Sequence, residues 1–226
     1  MRATGARVSP TVVVAGAATF GALAAMLTIV LGPALQPSFP ILLYLKFDFA
    51  EVMDVIAFLV FGPVAGLLTA IVHGGILAGA PGGGGPFGAS LKFLAVLTTY
   101  SGIYLSSKLG RQTLKRAGFS MAVFSLATRV LLMTVVNYLF IIFFAQFLFN
   151  QNYLFFAQLT LANAGINLTG EQLIGYVLGL TAVFNAVHAV FTVAVSLVIV
   201  GALFKRAPQL LESRAWFANY LKSGPE

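Results

Sequence analysis

Five polar side chains sit inside apolar runs long enough to exclude water. Lys92 lies in the run 88–107, Arg129 and Asn137 in 120–148, and Asn185 and His188 in 173–204. A polar group inside a bilayer is costly, so each is by default a candidate for function. Their depths follow from a helical rise of about 1.5 Å per residue. Counted inward from the basic end of each run, Lys92 lies roughly 24 Å from Lys108 and Asn137 roughly 25 Å from Ser120. Asn185 and His188 lie roughly 28 and 24 Å from Phe204. These four therefore share one level, and Asn185 and His188, three residues apart, share a helix face. Four hydrogen-bonding groups at one depth on three helices suit a pocket for a small polar molecule. The competing readings are a snorkelling Lys92, asparagines that bond helix to helix, and a histidine satisfied in the core. Arg129 counts out at roughly 14 Å from Ser120. It is expected to be structural, bonding helix-end carbonyls or snorkelling.

Asp48, Glu51 and Asp54 form a second constellation, just before and within an apolar run. Neighbouring carboxylates can do acid–base chemistry. At the head of a helix they also serve as caps or as part of a lid, which is the reading favoured here. Nothing else in the chain supports an enzyme. There is no GxxxxGK[ST] phosphate loop, no HExxH and no GxSxG. The two histidines, His73 and His188, do not make a metal site, and the absence of cysteine excludes disulfides and thiolate ligands. No cofactor is expected.

These residues must be positioned by membrane helices. Of the 226 residues, 59% are hydrophobic and only 8% charged, and the mean hydropathy is +0.96. Soluble domains carry about 25% charged residues, so this set cannot build a water-facing surface. Six spans are predicted over 11–31, 51–63, 64–80, 88–107, 120–148 and 173–204, in one domain covering 1–226. The first run lacks any charge and is read as a retained helix rather than a signal peptide. The second and third are short and meet at Phe61-Gly62-Pro63, which predicts a tight hairpin.

Positive charge sets the orientation. The N-terminus holds Arg2 and Arg7. The connection after the fourth run holds Lys108, Arg111, Lys115 and Arg116. The basic tail 205–226 holds Lys205, Arg206, Arg214 and Lys222. Ten of the 13 basic residues thus flank one side, which places both termini in the cytoplasm of a multi-pass cell-membrane protein. The net charge of +7 is read as membrane topology rather than as nucleic-acid binding. Three connections face outward: 32–50; the Gly/Pro-rich stretch from Gly79 to Pro86; and a polar stretch from Phe149 to Gln172 with Asn150, Asn152, Asn163 and Asn167. No repeat relates the two halves, which weakens an inverted-repeat carrier. Leu210, Phe217 and Leu221 set up either a short amphipathic surface helix or a frayed tail. Ala17, Ala18, Gly21, Ala22 and Ala25 on the first helix form a small-residue strip that suits close approach of another helix, internal or from a partner.

The sequence from Pro40 to Val52, with Lys46, Asp48 and Glu51, followed by Phe61-Gly62-Pro63 and Gly66, resembles the S components of energy-coupling factor (ECF) vitamin transporters, the riboflavin branch most of all. Gly88 to Ala95, Arg129 to Tyr138 and Phe184 to His188 resemble that branch's fourth, fifth and sixth helix motifs. The likeness runs in order along nearly the whole chain. It implies an all-α, six-helix membrane bundle that binds a vitamin near the outer face, riboflavin first. Its pocket would be lined by Lys92, Asn137, Asn185 and His188 under a lid of Lys46, Phe47, Asp48 and Phe49. It also implies a transmembrane coupling subunit and two cytoplasmic ABC ATPases as partners, docked on the strip of the first helix. This chain departs from the branch in having Lys92 where Asn is usual and His188 where Lys is usual. A cationic Lys92 predicts an acidic or strongly hydrogen-bond-accepting ligand, unless the two changes compensate. A self-sufficient oligomeric carrier and a carboxylate-based membrane enzyme are the competing classes.

Overall fold

The structure is a computed structural model that describes residues 9–32, 36–80, 85–144, 153–206 and 215–221. Among the described residues, seven helices carry the fold and no strand occurs. Helix α1 spans Pro10–Met26. Ser9 caps it by accepting from Val12 N, and Pro10 supplies a preset first turn. A π-helical turn, Leu27–Leu31, extends it. Helices α2 (Glu51–Phe61) and α3 (Pro63–Gly79) follow. Then come α4 (Gly85–Ser107) and α5 (Leu114–Leu139), the latter continued by a π turn, Phe140–Phe144. Helices α6 (Tyr153–Asn163) and α7 (Gly170–Arg206) complete the set, and a 3₁₀ turn, Trp216–Tyr220, ends the described chain.

Three of these segments are long and apolar enough to cross a membrane: Pro10–Leu31, Leu114–Phe144 and Gly170–Arg206. Helix α3 is apolar but shorter. Helix α2, with 11 residues, is roughly 16 Å long, about half of a bilayer's hydrocarbon thickness. It needs α3 beside it. Gly62 alone joins the two, at φ +95°, a conformation that a side chain would strain. Beyond that corner Phe58 lies against Gly66, where a Cβ would come within 2.6 Å of its ring, and Asp54 bonds His73. Contacts that pair residues progressively farther before and after Gly62 mean that the two helices run back alongside each other.

Close helix approach is built from missing side chains, as apolar lipid requires. A Cβ on Gly21 of α1 would meet Val72 of α3 at 2.8 Å. The hydroxyl of Thr69 points at the Ala17 carbonyl, 3.4 Å away. Ala17, Gly21 and Ala25 are therefore consumed by internal packing, which corrects the reading of the whole strip as a docking face. Only Ala18 and Ala22 remain exposed. Helices α4 and α5 approach more closely still. A Cβ on Gly102 would sit 2.3 Å from Ser125 Cα, and Ser125 and Thr128 donate to the carbonyls of Thr99 and Thr98 at 3.2 and 2.7 Å.

Three expectations change on the described residues. Helix α5 begins at Leu114, capped by Thr113, six residues before the predicted start. The connection 149–172 contains α6, whose Ala157 and Leu161, four apart, pack with Leu42, Ile141, Leu173 and Val177. Its polar residues Asn163 and Asn167 stay exposed. Over 215–221 the tail does not fray but packs on the helices. Phe217 is fully buried, the Trp216 ring meets Phe58 edge-on at 5.0 Å, and Gln112 N donates to the Tyr220 carbonyl. Arg2, Arg7, the loop 81–84, Asn150, Asn152, Leu210, Arg214 and Lys222 lie outside the described residues.

Gly102→Ala should destabilise the protein by about 1–3 kcal/mol, because a methyl group there meets backbone rather than a movable side chain. Gly201→Ala, which meets nothing within 4 Å, should leave stability unchanged or slightly raised. Thermal unfolding in detergent checks both. Equal midpoints for the two variants would refute the close α4–α5 crossing.

Candidate functional site

The helices surround a partly open cavity of about 450 Å³, within the range of small-molecule sites. The π turn that extends α1 contributes Thr28, the segment before α2 contributes Lys46 and Asp48, and α2 contributes Glu51. Helix α4 supplies Lys92, α5 supplies Arg129 and Asn137, and α7 supplies Asn185 and His188. Phe87, Leu91, Met133 and Phe140 make the apolar walls.

Arg129 is the centre of the site. It is 1% exposed, and Glu51 is 3% exposed. Its guanidinium grips the Glu51 carboxylate with both terminal nitrogens, Nη1 to Oε2 at 2.6 Å and Nη2 to Oε1 at 3.2 Å. This bidentate geometry is one that arginine provides and lysine does not. The remaining donors are also used. Nε donates to Asn185 Oδ1 at 3.1 Å, Nη1 also reaches Thr99 Oγ1 at 3.2 Å, and Nη2 faces His188 Nδ1 at 3.3 Å. One side chain thereby ties α5 to α2, α4 and α7.

The His188 ring has a defined tautomer. Its Nε2 lies 3.2 Å from the Asp48 backbone carbonyl, which can only accept. Nε2 must then carry the hydrogen, leaving the Nδ1 lone pair to accept from Arg129. A neutral ring satisfies both contacts.

Asp48 holds the second charge pair. Its Oδ1 accepts from Ala50 N at 2.9 Å, fixing the approach to α2. Its Oδ2 accepts from Thr28 Oγ1 at 2.9 Å and forms an ion pair with Lys92 Nζ. Thr28 also meets His73 Nε2 at 3.2 Å, and His73 Nδ1 meets Asp54 Oδ2 at 2.8 Å. A continuous polar chain thus runs from Asp54 through His73, Thr28 and Asp48 to Lys92. The His188 bond to the Asp48 carbonyl links it to the Arg129 cluster.

Of the residues singled out from sequence, Lys46, Asp48, Lys92, Asn137, Asn185 and His188 line this cavity, and Phe47 and Phe49 do not. Phe47 packs on Phe184 and His188, with ring centres 4.8 and 5.6 Å apart. Phe49 packs on Phe191 at 5.0 Å. Both hold the segment down rather than facing the cavity. The structural reading of Arg129 is corrected, and the cause is the misplaced start of α5. Counted from Leu114, Arg129 lies roughly 22 Å in, level with Lys92 and His188, and Asn137 moves outward to roughly 34 Å. Lys92 is likewise not a free cation awaiting an acidic ligand, because Asp48 neutralises it. Thr28 and Gln36, which also line the cavity, were not singled out, and Glu51, expected as a cap or lid carboxylate, lines it too. Glu51 had a signal in the sequence. Three of the chain's six acids fall within 48–54, and two basic residues in apolar runs need counter-ions.

The chain is similar in structure to the S component of a bacterial ECF transporter, with a TM-score of 0.63 over 87% of this chain and 98% of that one, at 19% sequence identity. No protein-family model matches the sequence, and no curated protein matches it. The structural match shows that this all-helical chain has the S-component fold.

Glu51→Gln and Arg129→Gln should each destabilise the protein by about 3–5 kcal/mol, since each strands a buried charge. The double variant should lose clearly less than the sum of the two, because neither ion then remains unpaired. Denaturant or thermal unfolding of the three variants measures the coupling. Additive losses would show that the pair does not act as a unit.

Proposed function

We propose that this chain is the substrate-binding S component of an ECF-type ABC importer, capturing a vitamin, riboflavin first, at the outer face of the cell membrane for ATP-driven uptake. The observation that carries the reading is the cavity itself. It lies within an S-component fold, under the segment that leads into α2, and its polar groups come from five helices. A concave site with several buried, hydrogen-bonded polar groups is how a binding protein discriminates among small solutes. In this reading the chain has six transmembrane segments, with α2 and α3 paired as a hairpin, α6 an extra-membrane cover and both termini cytoplasmic. Lys46, Asp48, Lys92, Asn137, Asn185 and His188 form the substrate site together with Arg129 and Glu51. A transmembrane coupling subunit and two ABC ATPases supply the energy. The coupling subunit docks on the exposed Ala18 and Ala22 of α1.

Mass spectrometry of small molecules carried through purification tests the function. A vitamin, riboflavin above all, should accompany the full chain in stoichiometric amount and exchange with added ligand. Purified chain that transports solute in proteoliposomes without ATPases would replace this reading with a self-sufficient carrier. Docking has its own test. Ala18→Trp with Ala22→Trp should abolish assembly with the coupling subunit and leave ligand binding at the parent level. Lost binding with intact assembly would assign those two alanines to internal packing instead.

A further inference from the structure

We infer that the occupant of this cavity is uncharged in the part that enters it, and that the two ion pairs of the wall enforce the selection. The inference deepens the reading of the cavity as a solute site and rests on it. Among the described residues, the charges of the lining inward of Lys46 are the partly buried Lys92 and the buried Asp48, Arg129 and Glu51, and they cancel in pairs. His188 adds no charge, because its contacts fit the neutral ring. Lys46 is the remaining lining cation, and it is exposed, where water solvates any charge brought near it.

A carboxylate drawn into this cavity would lose its water. It could recover a partner only by pulling Lys92 from Asp48 or Arg129 from Glu51, which leaves the displaced carboxylate buried and unpaired. A cationic ligand meets the mirror-image problem. A neutral molecule leaves both pairs intact. What the wall offers it is hydrogen bonding and apolar contact. The Asn137 side-chain oxygen has no partner among the described residues, its amide being committed to the Met133 carbonyl. Phe87, Phe140, Leu91 and Met133 line the rest. The favoured class is therefore a neutral, flat, partly apolar molecule with amide-like donors and acceptors. A charged tail is tolerated only at the Lys46 mouth.

The test is isothermal titration calorimetry of the full chain in detergent against probes of matched shape and different charge. Riboflavin, nicotinamide and biotin amide are the neutral probes, nicotinate and biotin the anions, and thiamine the cation. Neutral probes should lead, with the neutral member of a matched pair binding roughly tenfold tighter or more. An anion or cation that equals or exceeds the neutral probes overturns the inference and leaves the solute site standing. No binding by any probe overturns the solute site and the inference together. Asp48→Asn then frees the charge of Lys92 and should move the anion-to-neutral affinity ratio toward the anion by roughly tenfold. Adding Lys92→Met restores neutrality and should restore the parent ratio. Because the double variant leaves no buried ion unpaired at this position, it remains measurable where the single variant does not fold. A ratio unchanged in the single variant, or a double variant that prefers anions, overturns the inference.

Discussion

The buried pair between Arg129 and Glu51 is the constraint around which the rest of the structure is arranged. A guanidinium 1% exposed, far along an apolar helix, must find a counter-ion and a partner for each donor. Glu51 supplies the charge, and Asn185, Thr99 and His188 take the remaining nitrogens. Those partners lie on α2, α4 and α7, so satisfying one side chain fixes three helices relative to the fourth. It also explains why α2 starts where it does. Glu51 is the first helical residue, placed to point inward, and Asp48 fixes the preceding backbone by accepting from Ala50 N.

Asp48 has three roles that meet at one carboxylate. It caps the approach to α2, balances Lys92 and accepts from Thr28 of α1. The segment 36–50 is thus held over the cavity by a charge pair and by Phe47 on Phe184, rather than by regular secondary structure. Leu42, fully buried against Ile141, Ala157 and Leu173, and Phe49 on Phe191 hold it as well. Thr28 lies in the π-helical turn that extends α1, a form of helix found mostly as single turns at functional sites. The state of the cavity wall is therefore in direct hydrogen-bonded contact with the helix whose outer alanines remain free.

Much of this was legible in the sequence because lipid makes polar residues conspicuous. Lys92, Asn137, Asn185 and His188 all line the cavity, and Asp48 does as well. What was lost came from two limits of counting. The depth of Arg129 was measured from Ser120, and a helix start wrong by six residues moved it out of the site by about two turns. The small-residue strip of α1 shows spacing by four on two adjacent faces. Periodicity cannot say that Gly21 meets Val72 while Ala22 stays exposed, since both faces are equally smooth. Helix α6 was hidden by the asparagines flanking it, although Ala157 and Leu161 already had helical spacing. Pairing of charges was the unused signal, because acids concentrated at 48–54 have to answer basic residues in apolar runs.

The S-component fold is retained here at 19% identity to a solved example, so most of the chain's side chains are free to differ while the helices keep their places. That tolerance is expected of lipid-facing positions, where one large apolar residue replaces another at little cost. It does not extend to the cavity wall. There the charged groups Lys92, Asp48, Arg129 and Glu51 answer one another, and exchanging one strands its partner. Lys92 without Asp48, or Arg129 without Glu51, is an unpaired ion in a medium of low dielectric. Selectivity in such a site changes by compensated steps, in which charge is moved or removed in pairs. The ligand's own charge enters the same balance as any side chain, which is why the arithmetic of the wall constrains what the cavity admits.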